Sequence, residues 1–504
     1  MTAPLIWIIL PGLAAAGLYL ARRWERFLHI AGITLALGLA WLAWYLPIDE
    51  PVVLRLWSNL PALRIRSEML LFGSSFSLTN AIRPALVMVY LVIAFWFGGA
   101  ASARTDRLFI PLGFGSAALL VASLAVQPAY FSAPLIGAFA LLCVPILTPP
   151  GRRSLRLLPQ TETRPAETAG QERTTQGALR FLIYEVVGVS LLLLGGLTPT
   201  PSGPQAALDV WQPQIILAST GLALVLGIFP FHTWMPMLAE NSNPYPISFV
   251  FFLLPATVSF LALRYINQYA ALEISVTLYT VLAYAGMLMA LMGGLWAAFE
   301  RHVGRILGFA AIGQTGGMLL ALSLQGLAEK ATPFPGLFFA QLAPQAAGLA
   351  VWALALSRLA QQTGGLSFAA LRGAAWRMPL TCTAALLGNL SLAGLPLLAS
   401  FPVLMALWSA LAQQILPAAV LAISGSALLF FAALRTLTVM LGQPAGQSAE
   451  ADDGEVESWS FKERGLGLAL LIAGVTILFL LGLFPQVYFP IFSNLAAYFT
   501  GARP

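Results

Sequence analysis

The 504-residue chain is 59% hydrophobic and only 9% charged, with a mean hydropathy of +0.83 and a net charge of +6. No water-soluble domain is this apolar, so composition predicts an all-α polytopic membrane protein. The basic residues are scattered among short connections, which excludes a nucleic-acid surface and fits anchoring at a lipid face.

Met1 to Ala21 lacks a basic leader region, so it reads as a first span rather than a cleaved signal. Apolar runs of about 18–25 residues then predict about fourteen transmembrane helices. They lie at roughly 4–21, 28–48, 84–102, 108–126, 129–148, 178–197, 212–231, 247–267, 273–299, 304–325, 334–358, 380–413, 417–441 and 465–484. The loop at 49–83, with Gly73-Ser-Ser75, is expected to form a small extracytoplasmic hairpin within the N-terminal unit 1–128. Residues 149–177 read as a flexible basic linker. Residues 442–464, with Glu450, Asp452, Asp453, Glu455 and Glu457, read as an acidic cytoplasmic loop ahead of a C-terminal span and interfacial tail at 465–504. With the N-terminus outside, the inside connections carry 19 of the 26 basic residues. That sorting predicts both termini on the extracytoplasmic side of a bacterial inner membrane.

Two spans are interrupted. Leu226-Gly-Ile-Phe-Pro-Phe-His-Thr-Trp-Met-Pro236 breaks the seventh, and Ser391-Leu-Ala-Gly-Leu-Pro-Leu-Leu-Ala-Ser-Phe-Pro402 breaks the twelfth, about 165 residues later. Pro230, Pro396 and Pro402 are the helix-breaking residues: proline has no N–H and crowds the preceding turn, so carbonyls are expected to be freed there. Broken helices in corresponding halves point to inverted repeats. His232 follows Pro230 directly, and has two readings: a group exchanging protons near neutral pH, or a cap for the freed carbonyls.

The polar residues at membrane depth are few. Glu185 is the acid inside an apolar span, readable as a proton-binding site or as a carboxylate satisfied by Arg180 or Tyr184. Glu240 is placed at the cytoplasmic mouth, in contact with solvent. Gln314, Gln341 and Gln345 are neutral amides that either hold a water file or hydrogen-bond between helices; Asn389 is read the same way. His302 and Arg305 read as surface anchors. Cys143 and Cys382 read as packing thiols. No phosphate loop, CxxC, HExxH or GxSxG stretch is present. No ligand set suits flavin, iron–sulfur or haem, so no cofactor is expected on this chain.

Three stretches resemble one family: Gly227-Ile-Phe-Pro-Phe-His-Thr-Trp-Met-Pro236, Arg305-Ile-Leu-Gly-Phe-Ala-Ala-Ile-Gly-Gln-Thr-Gly316, and Arg377-Met-Pro-Leu followed by Leu390-Ser-Leu-Ala-Gly-Leu-Pro396 and Phe401. They resemble the antiporter-like membrane subunits of proton-pumping NADH–quinone oxidoreductase (respiratory complex I), of Mrp-type antiporters and of membrane-bound hydrogenases. The resemblance implies fourteen helices, with inverted five-helix repeats at 108–267 and 273–441. It also implies other membrane subunits as partners, with quinone, flavin and iron–sulfur clusters confined to them. Family members that move protons carry a glutamate on helix 5, lysines on helices 7 and 8, lysine or histidine on helix 11, and lysine or glutamate on helix 12. Here the fifth span holds no acid, and Gln341 and Gln345 stand near the position on helix 11. Val225, Pro255 or Ala256, and Leu404 stand near the positions on helices 7, 8 and 12, and both lysines, Lys330 and Lys462, fall in connections. The expected function is therefore a proton-translocating subunit, with a non-conducting scaffold or a stand-alone carrier as alternatives.

Overall fold

Backbone amides left unpaired in hydrocarbon cost several kcal/mol each, so a chain this apolar can cross a membrane only as helices or a closed barrel. The computed structural model of the chain describes residues 2–52, 63–71, 73–148, 165–198, 213–268, 276–327, 336–443, 463 and 465–491. Among the described residues, ten helices are long and apolar enough to span: Glu25–Tyr45, Asn80–Ala100, Ala129–Leu147, Arg173–Leu197, Pro244–Asn267, Val276–Phe299, Val303–Leu327, Gly336–Thr363, Leu416–Leu441 and Leu466–Leu483. Shorter apolar helices are Leu5–Leu20, Phe109–Ala125, Pro213–Val225 and Pro379–Leu392. Lys330, Lys462 and nearly all of the acidic loop lie outside the described residues.

The expectation of a linker at 149–177 is corrected from residue 165 on, because a helix runs Pro165–Leu197. Proline suits the first helical position, and the following Ala, Glu, Thr and Gln residues extend the apolar helix outward at little cost. The loop after Tyr45 forms strands as expected. Glu68–Leu71 pairs antiparallel with Ser74–Ser77 around Gly73, and Val126–Gln127 adds a third strand.

Both broken helices stop in the same way, and not at proline. After Pro213–Val225, Gly227 is left-handed with φ +60°. Its N–H donates to the Leu224 carbonyl at 3.1 Å, and the Ile228 N–H donates back to Ala223 at 2.9 Å. After Pro379–Leu392, Gly394 has φ +80°; its N–H donates to Ser391 at 3.1 Å, and Leu395 donates to Leu390 at 2.9 Å. This paired closure is the Schellman cap, and glycine alone adopts its left-handed position cheaply. The expectation that Pro230 and Pro396 make the breaks is therefore corrected: each helix turns at its glycine, which bonds the Ala223 and Leu224, and the Leu390 and Ser391, carbonyls before either proline begins. Pro402 sits in the first turn of the next helix, Phe401–Gln414, where its missing N–H costs nothing.

Past the first break, Trp234–Asn241 lies on Val303–Leu327 through Gly304 and Gly308. A β-carbon on Gly304 would stand 2.2 Å from the Ala239 carbonyl. Val276–Phe299 presses Gly293 against Gly313 of Val303–Leu327, and Gly294 against Gly425 of Leu416–Leu441. Small residues at such crossings bring backbones into van der Waals contact, which drives helix association where lipid is as apolar as leucine.

Two arginines close helix ends. Arg264, on Pro244–Gln268, donates to the Ser123 carbonyl at 2.6 Å and to Val126, at the end of Phe109–Ala125. Arg435, on Leu416–Leu441, donates to Ala298, at the end of Val276–Phe299. Terminal carbonyls carry the negative pole of a helix, so a guanidinium there is favourable.

The glycine closure makes a direct prediction. Gly394→Ala forces a β-carbon into the left-handed region at a cost of roughly 1–2 kcal/mol, and lowers the thermal unfolding midpoint of the purified protein. Pro396→Ala leaves that midpoint nearly unchanged. A larger loss from the proline than from the glycine contradicts this account of the break.

Candidate functional site

The acid comes first because burial makes it costly. Glu185, on Pro165–Leu197, is 1% exposed, and its Oε2 has no hydrogen-bond partner among the described residues. Neither neighbour bonds it among the described residues. Arg180 turns away to Thr233 Oγ1 at 3.5 Å and Met237 Sδ at 3.3 Å, and the Tyr184 ring packs edge-on against Phe231 at 5.5 Å. Cys143, on Ser132–Leu147, instead lies within electrostatic reach of Glu185 and beside Ser116, on Phe109–Ala125. Glu185 is thus buried near residues from two other helices of the N-terminal half. One turn further, Gly188 receives the side chain of Val225, to which a β-carbon there would come within 2.5 Å. Val225 is fully buried, and fills with methyl groups the place where a lysine is implied.

His232 does not cap the break, since the main chain has already done so. Its ring stacks on Phe229 at 5.3 Å with the planes 21° apart, and Nδ1 has no partner among the described residues. Phe229 and His232 border a shallow recess with Met289, Gly293, Phe309 and Ile312. The Tyr184–Phe231 contact ties the helix of Glu185 to this stretch, although Glu185 and His232 share no contact. Glu240 stands at the far end of Trp234–Asn241, about 12 Å along the helix from His232. It is half-buried and pairs with Arg173 at 3.4 Å, rather than lying free in solvent.

The amides divide in two. Gln314 donates Nε2 to the Leu392 carbonyl at 3.0 Å, at the end of the second broken helix. Gln341 donates to the Gln314 carbonyl at 3.5 Å. These are the interhelical bonds anticipated as one of the two readings. Gln345 is different: it is 1% exposed and neither of its polar atoms has a partner among the described residues. Pro344 stands between Gln341 and Gln345 inside Gly336–Thr363, and by lacking an N–H it leaves the Ala340 carbonyl without its helical donor. A cavity of about 30 Å³ opens beside Gln314, bordered by Gly313, Gly317, Leu404, Trp408 and Ser426. That volume suits water rather than a solute. Leu404, near another implied lysine position, is one of its walls.

Sequence reasoning missed several positioning groups. Glu463 accepts from the Leu380 and Thr381 amides at 3.1 and 3.3 Å, capping Pro379–Leu392 from 82 residues away. Asn243 and Ser357 join helices through a 2.7 Å bond, and Asn243 also donates to the Ala103 carbonyl. Their partners are distant in sequence, so no local pattern announces them.

A sequence profile of the family described as NADH:quinone oxidoreductase/Mrp antiporter, TM, matches residues 209–429. NADH-quinone oxidoreductase subunit N of Shewanella woodyi is 31% identical over 348 residues, which cover 64% of this chain and 69% of that protein. The chain belongs to this family. Subunit N of Acinetobacter baumannii is 28% identical over 341 residues, covering 64% of this chain and 66% of the relative, so the match spans just under two thirds of its length. The fold recurs in a solved Mrp complex from Dietzia sp., with a TM-score of 0.73 at 19% identity over 99% of this chain and 97% of that one. It recurs in respiratory complex I from Thermus thermophilus, with a TM-score of 0.70 at 19% identity over 99% of both chains. As an antiporter-like family member built of long apolar helices, the chain is a multi-pass membrane protein.

The partner patterns predict opposite stabilities for two isosteric or truncating changes. Gln314→Ala strips the Leu392 carbonyl of its donor and costs about 1 kcal/mol, read as a lower unfolding midpoint. Glu185→Gln removes a lone buried carboxyl and leaves the midpoint unchanged or higher. A marked loss on Glu185→Gln would reveal that the carboxyl is held by a partner.

Proposed function

We propose that this chain is a membrane-arm subunit of an energy-converting complex of the complex I or Mrp type, seated in the bacterial inner membrane beside other membrane subunits. In this reading it takes part in proton translocation coupled to electron transfer in those partners, which alone carry quinone, flavin and iron–sulfur clusters. Glu185 carries the reading. A carboxyl buried without a partner among the described residues is costly, and its usefulness is that it can take up and release a proton. His232 and Glu240, at the two ends of Trp234–Asn241, are the other titratable groups of the same half. Gln314, Gln341 and Gln345 would hand protons on through water in the second half.

The architecture proposed with this function is fourteen spans with both termini outside, the fourth to eighth and the ninth to thirteenth forming inverted repeats. Two features support the pairing of halves. The breaks share one glycine closure, with Gly227 and Gly394 in matching roles. Arg264 and Arg435 each bind the end of the first helix of their own half from its fifth.

A second reading, a non-conducting scaffold of such a complex, is favoured by Val225, Ala256 and Leu404, all buried where lysines are implied. The water-sized cavity beside Gln314 argues against a stand-alone carrier for a larger solute.

Proton pumping by the intact complex in sealed vesicles separates the two. Glu185→Gln is expected to cut pumped protons per electron at least about tenfold while electron transfer continues, as for loss of a group that carries the proton. Unchanged pumping assigns the chain to the scaffold role.

A further inference from the structure

The turn Glu300-Arg301-His302 joins Val276–Phe299 to Val303–Leu327, and it is held firmly. Val303 donates its N–H to the Leu366 carbonyl at 2.9 Å, Phe368 donates to Arg301 at 3.0 Å, and His302 bridges Ser367 through the main chain. Held this way, the imidazole folds over Gly304. A β-carbon on Gly304 would stand 3.1 Å from ring atoms of His302 and 2.2 Å from the Ala239 carbonyl. The ring therefore lies against the last turn of Trp234–Asn241, the negative end of that helix.

Three charged groups act on it. Glu240, on the half-helix, and Glu300, in the turn, both act on the ring, and Arg305 opposes them. Glu240 is paired with Arg173 at 3.4 Å, and Glu300 with Arg305 at 3.2 Å. Arg301 is exposed beside the ring. The two carboxylates are largely covered, with side chains 21% and 19% exposed, whereas Arg173 reaches water at 62%. Nδ1 of His302 is enclosed and has no hydrogen-bond partner among the described residues. A residue serving as an anchor turns its polar atoms outward; this one keeps a basic nitrogen enclosed, within electrostatic reach of two acids.

We infer that His302, with Glu240 and Glu300, forms a proton-collecting site at the mouth of the first broken helix, taking protons from bulk water and presenting them to the stretch that ends in His232. The inference rests on the proton-translocation reading above. Carboxylates at the wet edge capture protons, an imidazole exchanges them near neutral pH, and Trp234–Asn241 spans the distance inward. Burial holds the His302 imidazole below its ordinary range, while Glu240 and Glu300 pull it back up.

The chain has three histidines, His29, His232 and His302, so isotope-labelled imidazoles of the full chain in lipid nanodiscs give few signals, and His302→Gln identifies one of them. Glu240→Gln and Glu300→Gln are each expected to move the His302 titration downward by about half a pH unit or more. A curve unmoved in both variants overturns the inference without reference to pumping. In vesicles bearing the intact complex, His302→Gln is expected to slow proton uptake about threefold or more at pH 8, where protons are scarce, and less at pH 6. Pumping that needs Glu185 but ignores His302 overturns the collecting site alone. Pumping indifferent to both residues overturns the translocation reading along with it.

Discussion

The constraint on which this fold depends is that a helix cannot stop inside hydrocarbon with its carbonyls open. Two apolar helices of this chain, Pro213–Val225 and Pro379–Leu392, stop short, and each closes its own end by turning one glycine left-handed. Because the closure uses only main-chain groups, the side chains around it are released from capping. His232 keeps a free nitrogen, and the one amide recruited, Gln314, reinforces a Leu392 carbonyl that remains after Gly394 has bonded Ser391. The Val276–Phe299 and Val303–Leu327 pair then serves both breaks. Gly293 and Phe309 border Phe229 and His232 on one side, and Gly294 and Gly313 border Leu404 and Trp408 on the other. Glycine contacts make that pair thin enough to stand between them.

Against this frame, the distribution of charge is asymmetric. In the N-terminal half a carboxyl is retained at full burial, facing a thiol and a hydroxyl. Among the described residues of the C-terminal half the buried polar groups are amides and hydroxyls, which cannot change charge. An ammonium beside Glu185 would neutralise it, but Val225 fills that side through the notch at Gly188. In the proposed function, a proton on Glu185 is then the way to remove its charge without a neighbour.

Much of the fold was legible in the sequence, because the length and spacing of apolar runs report membrane crossing directly. The two interruptions were legible too, but their cause was misassigned: proline is conspicuous, whereas the glycine two or three residues earlier acts through a backbone angle that sequence does not display. The polar start of Pro165–Leu197 was hidden because helix propagation from an apolar segment overrides local polarity. Of the candidate site, Glu185 stood out by being an acid among apolar residues. Its lack of a partner did not, since Arg180 lies five positions away and yet points at Thr233 and Met237. Glu463 and the surroundings of His302 were invisible for the same reason, being assembled from segments far apart in the chain.

The central claim is that Glu185 changes its protonation while the protein works. Infrared difference spectra of the intact complex, taken between resting and turning-over states, observe this directly through the carbonyl stretch of a protonated carboxyl. The account predicts such a band in the wild type and its loss in Glu185→Gln. A difference spectrum identical in the two proteins would contradict it.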